Sequence, residues 1–71
     1  MENLIGKKLN NDAILINGVT VGNREIILAM MPGAYEPYIT WCKEEFYMWG
    51  HYFRTITDAV KDYNRRIKRG Y

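Results

Sequence analysis

The sequence predicts an α+β domain: an antiparallel sheet of three or four strands with one C-terminal amphipathic helix packed on one face. Three observations carry that expectation. Short β-prone runs are punctuated by Asn17-Gly18, Gly22-Asn23 and Pro32-Gly33, dipeptides that mark turns. Thr55 and Asp58 open a segment whose apolar residues recur at helical spacing, as a capped helix requires. The chain has 71 residues, 48% of them apolar and 14% aromatic, enough for one core and one domain spanning 1–71. A chain this short buries only about 60% of the surface that it exposes when unfolded. Its single cysteine cannot staple it internally.

Residues 1–11 read as a lead-in that packs on the domain. Residues 13–16 are a first β-type run. Asn17-Gly18 and Gly22-Asn23 then compete, with Val19-Thr20-Val21 between them. Either one dipeptide is a bulge in a longer strand or the middle strand is very short. Residues 24–31 form the next strand, nearly continuous in apolar character at Ile26-Ile27-Leu28, which suits a central position. Pro32-Gly33 and Glu36-Pro37 make the following loop. Residues 38–43 and 46–53 are two further strands, with Glu44-Glu45 as the hairpin tip.

That tip fixes an expected register. Cys42 faces Tyr47, Trp41 faces Met48, Thr40 faces Trp49, Ile39 faces Gly50 and Tyr38 faces His51. Strand side chains alternate between faces. Ile39, Trp41, Phe46, Met48 and Gly50 then share a wholly apolar face, assigned to the core beneath the helix. Tyr38, Thr40, Cys42, Tyr47, Trp49 and His51 share the other. In the helix, Ile56, Ala59, Val60, Tyr63 and Ile67 form the expected buried stripe, and Gly70 is the stop.

Charge is uneven. Residues 1–53 hold four basic and six acidic side chains, a net −2; residues 54–71 hold six basic and two acidic, a net +4. Lys61, Arg65, Arg66, Lys68 and Arg69 crowd the helix. Cations in the last turns complement the helix dipole, and a basic stripe is also the footprint of a nucleic-acid contact. No apolar run approaches ~18 residues, and the start lacks the pattern of a signal peptide. A cytoplasmic chain is expected.

Catalytic signals are weak. His51 is the sole histidine and Cys42 the sole cysteine, so neither a metal ligand set nor a nucleophile–base pair assembles from the sequence. Glu44 and Glu45 are adjacent on a strand end and point apart. No phosphate loop is present. The expectation is a non-enzyme without catalytic residues, metal or cofactor. The aromatic face at Tyr38, Thr40, Tyr47, Trp49 and His51 is the expected protein-binding surface, because Tyr and Trp offer rigid area with a polar handle. The chain's own N-terminus, or a second copy in a structural homodimer, are the other readings for what covers it. Nucleic acid through Lys61, Arg65, Arg66, Lys68 and Arg69 is the alternative function.

Two resemblances add to this reading. Gly50 and the string Phe53-Arg54-Thr55-Ile56-Thr57-Asp58-Ala59-Val60-Lys61-Asp62-Tyr63 resemble the end of plant ethylene-response-factor DNA-binding domains. They are similar also to the arm-binding domain of tyrosine integrases, three strands followed by a helix. Two residues, His51 and Tyr52, separate Gly50 from Phe53 where the plant family has one, and its Arg-rich reading strands are absent. More broadly, Arg24-Glu25-Ile26-Ile27-Leu28, Pro37-Tyr38-Ile39-Thr40-Trp41, Trp49-Gly50-His51-Tyr52-Phe53, Asp58-Ala59 and Asp62-Tyr63-Asn64-Arg65 resemble small uncharacterised proteins of phages and conjugative elements of Gram-positive gut bacteria. That resemblance implies a mobile-element accessory protein that binds a host protein, of the kind that includes anti-CRISPR-type inhibitors of host defence complexes. It assigns no catalytic residue.

Overall fold

A computed structural model describes residues 6, 8, 9 and 12–71. Four strands, β1 (Ile14–Val21), β2 (Arg24–Met30), β3 (Tyr38–Lys43) and β4 (Tyr47–Phe53), precede one helix, α1 (Ile56–Arg69). The strands form an antiparallel sheet in the order β1-β2-β3-β4. The expected α+β architecture is therefore present, with four strands.

Gly22-Asn23 is the first hairpin turn: Val21 pairs with Arg24, and Gly22 takes φ 61°, the left-handed backbone that such a turn favours at its first position. Asn17-Gly18 lies inside β1. Asn17 pairs with Leu28 and Gly18 with Ile27, and the register shift lies just ahead of them, between Leu15 and Asn17, so β1 is one long strand and its bulge precedes the dipeptide. Thr55 caps α1, its Oγ1 accepting from the Asp58 backbone N–H at 3.3 Å. Gly70 ends α1 at φ 87°, its N–H donating to the Arg66 carbonyl at 2.7 Å.

The expected β3–β4 register is corrected. The tip has three residues, Glu44, Glu45 and Phe46, because Lys43 pairs with Tyr47 and Cys42 with Met48. One extra residue turns Tyr47 and Met48 to the other face relative to β3. A second shift lies between Thr40 and Cys42. There Trp41 opposes both Trp49 and Gly50, a β-bulge. Beyond it Thr40 pairs with His51, Ile39 with Tyr52 and Tyr38 with Phe53.

The helix packs on the sheet face opposite to the one expected. Beneath the helix lie Ile26, Leu28 and Cys42, packed with Ala59 and Tyr63 and flanked by Ile16, Val21, Tyr38, Phe53 and Ile67. The opposite face carries Ile27, Ala29, Ile39 and Trp41, covered by Ala13 with Leu9, Leu15, Met31 and Tyr47 against them. Trp41 is buried as expected, but beside Tyr47 (ring centroids 5.0 Å apart), not beside Met48 and Val60 under the helix. Of the lead-in, Leu9 packs on this second core; residues 1–5, 7, 10 and 11 lie outside the described residues.

The helix stripe is corrected as well. Ala59, Asp62, Tyr63 and Arg66 face the sheet, while Ile56 and Val60 are exposed. An Asp and an Arg at i and i+4 occupy one inner turn. Charged residues are almost never fully buried unless paired, so a stripe built on apolar residues passes over this pair. Ala59 was the available signal: its small side chain marks the closest approach, and residues three, four and seven positions later share its face.

Candidate binding site at the β4 bulge

The bulge presents Trp49. Its backbone has φ 51°, a region that costs a residue with a side chain roughly 1–2 kcal/mol. Trp49 is nevertheless 54% exposed, so core packing of its ring does not compensate for the strain. The compensation comes from its main chain. Arg66, only 1% exposed, donates from Nη2 to the Trp49 carbonyl oxygen. The same guanidinium donates from Nε to Asp62 Oδ2 at 3.2 Å.

Asp62 is the hub of the network. Its Oδ2 accepts from the Thr40 hydroxyl at 2.5 Å and lies 2.9 Å from His51 Nδ1. Arg65 Nη1 stands 3.7 Å from Oδ1. Burial pushes the Asp62 carboxyl up, but hydrogen bonds from Thr40 and His51 and the charges of His51 and Arg66 outweigh it. The group is held below the ordinary carboxylate value and stays ionised. Thr40 and His51 come from paired positions on β3 and β4, and the register shift beside them delivers both to the helix side. No local motif joins Thr40, His51 and Asp62, since Asp62's partners on the sheet are 11 and 22 residues away.

Arg66 keeps one nitrogen, Nη1, buried and without a hydrogen-bond partner. A buried donor left unpaired costs about 1–3 kcal/mol. Arg66 also lines a cavity of about 310 Å³ with Trp49, His51, Arg69 and Tyr71. The Trp49 and Tyr71 rings meet edge to face at 6.1 Å. Arg24 lies over the Trp49 ring at 5.5 Å while bonding Glu44 Oε1 at 2.6 Å. Arg69 lies over the Tyr71 ring at 4.7 Å.

The residues expected to form a protein-binding face are only partly brought together. Trp49 and His51 line the cavity. Thr40 is fully buried and supports it through Asp62. Tyr38 is half-buried against the helix core, and Tyr47 packs on the opposite face beside Trp41. Arg66, Arg69 and Tyr71 are the members that the face argument missed. Of the basic residues, Lys61, Arg65, Lys68 and Arg69 are exposed; Arg66 is withdrawn into the interior.

Cys42 is buried beneath the helix. Among the described residues no group of three or more His, Cys, Asp or Glu side chains could hold a metal ion, and no helix is long and apolar enough to cross a membrane. Comparison of the chain with protein-family models, with curated proteins and with solved structures finds no match.

Proposed function

We propose that this domain acts by binding another protein, with Trp49 at the centre of the contact. One observation carries the reading: a strained, bulged backbone, fixed from below by a buried arginine, holds an exposed tryptophan outward. Bulges re-aim side chains, and backbone strain persists where the surroundings over-determine it, most often at functional positions. Trp is also the residue type most enriched in binding hot spots. The accessory role of the phage and conjugative-element proteins that the sequence resembles, inhibition of a host defence complex included, is the setting in which such a module would work.

The test is affinity capture from host extract, followed by titration of the purified partner against the parent and Trp49→Ala. A hot spot predicts a loss of about 2 kcal/mol, roughly 30-fold in affinity. Equal affinity of parent and variant would contradict the reading.

A second reading rests on a different surface. Lys61, Arg65 and Lys68 follow one another at i, i+4 and i+7 on the exposed side of α1, the spacing of one helix stripe. If nucleic acid binds there, Lys61, Arg65 and Lys68 replaced together by Gln should flatten the salt dependence by nearly one logarithmic unit per lost phosphate contact. Absence of binding by the parent at low salt would remove this reading.

A further inference from the structure

We infer that the cavity bounded by Trp49, His51, Arg66, Arg69 and Tyr71 receives a carboxylate side chain from an acidic segment of the bound protein. The inference rests on the reading of Trp49 as the centre of a protein contact and names the chemistry of what enters beside it.

Three observations argue for a carboxylate. Arg66 lines the cavity and is 1% exposed, and its Nη1 has no acceptor while Nε and Nη2 are both engaged. The missing partner is therefore an acceptor, and a guanidinium meets carboxylates with charge-assisted bonds. Arg69 supplies a second, exposed guanidinium on the wall. His51 stands on the same wall, held in place by the 2.9 Å contact of its Nδ1 with Asp62 Oδ2. The Trp49 and Tyr71 rings provide apolar walls for an aliphatic stem.

Charge decides between a carboxylate and a phosphate. Asp62 sits directly behind Arg66 and offsets its charge. Arg69 then leaves the cavity wall with one net positive guanidinium charge, Arg65 lying beside Asp62 outside the lining. That field matches a monoanion. A doubly charged phosphate would be left half-compensated in a partly desolvated cleft, which is unfavourable. Glu44 is engaged by Arg24 at 2.6 Å and does not compete for the cavity.

The test uses the full chain labelled with nitrogen-15 and three probes: the capped peptide acetyl-Ala-Ala-Glu-Ala-Ala-amide, its Gln counterpart, and inorganic phosphate. The Glu peptide should shift the Trp49 indole and Arg66 Nε–H resonances and bind about 10-fold more tightly than the Gln peptide. Arg69→Gln, an exposed change that leaves the buried network intact, should remove most of that preference. Equal affinity for both peptides, no shift with either, shifts confined to Lys61, Arg65 and Lys68, or phosphate saturating the cavity resonances at lower concentration would each overturn the inference. Protein capture that depends on Trp49, found together with equal Glu and Gln peptide binding, would overturn the carboxylate and leave the protein-binding reading standing.

Discussion

Arg66, buried on the inner face of α1, holds the main-chain carbonyl of Trp49 on the edge strand β4 through its Nη2. The arginine is itself held by Asp62 one turn earlier. A buried ion pair thus links the core to an exposed aromatic. Replacing such a pair by apolar residues is often neutral, whereas removing one partner is costly.

The first prediction concerns that pair. Asp62→Ala leaves Arg66 buried without its counter-charge and should cost about 3–5 kcal/mol, enough to unfold most of a domain this small. Circular dichroism during urea titration measures it. A loss below about 1 kcal/mol would mean that Arg66 is not buried as a charged group.

Acid stability follows from the same carboxyl. Its folded value lies below the ordinary 3.8, so the native state binds a proton less readily than the unfolded chain. The stabilisation is complete above the ordinary value and disappears as pH falls through the lower folded one. His51, Arg65 and Arg66 face the group. Asp62→Asn should flatten the fall in melting temperature between about pH 4 and pH 2. An unchanged acid limb in that variant would assign the acid sensitivity to other carboxyls.

The orientation of α1 is tested by two neighbouring substitutions. Ala59 is fully buried and Val60 is 37% exposed. Ala59→Asp places an unpaired charge against Ile26 and Cys42 and should prevent folding, whereas Val60→Asp should cost less than about 1 kcal/mol. Comparable losses would return the helix to the stripe expected from periodicity alone.

Gly50 probes the bulge from the other side. A Cβ there would lie 2.8 Å from Trp41 Nε1 and 2.9 Å from the Tyr52 hydroxyl. Tyr52 is exposed and can swing away; Trp41 is buried and cannot. Gly50→Ala should cost about 1–3 kcal/mol by overpacking, read as a drop in melting temperature. An unchanged melt would mean that the second core is loose around Trp41.

Much of this fold is legible in the chain. The capping pair Thr55 and Asp58, the stop at Gly70 and the strands 24–30 and 38–43 carry local signals, and local signals survive into the structure. What was hidden is non-local. Glu44-Glu45-Phe46 has no residue that dictates a three-residue tip, and Trp49 is a side chain that sequence rules would not place in left-handed backbone. Each adds one position to the register: the first turns Tyr47 and Met48 over relative to β3, and the second returns His51 and Phe53 to the expected face. The site suffered the same way. Trp49 and His51 could be named as candidates, but Asp62 and Arg66 read as surface charges until Thr40 and the Trp49 carbonyl stood opposite them.

The central claim is that strain at Trp49 serves display of its side chain and not the stability of the fold. Trp49→Gly measures it directly, because glycine adopts φ 51° without steric cost. The account predicts that this variant melts at or above the parent temperature while affinity for the captured partner falls at least about 30-fold. A variant that melts well below the parent and still binds the partner at full affinity would contradict it.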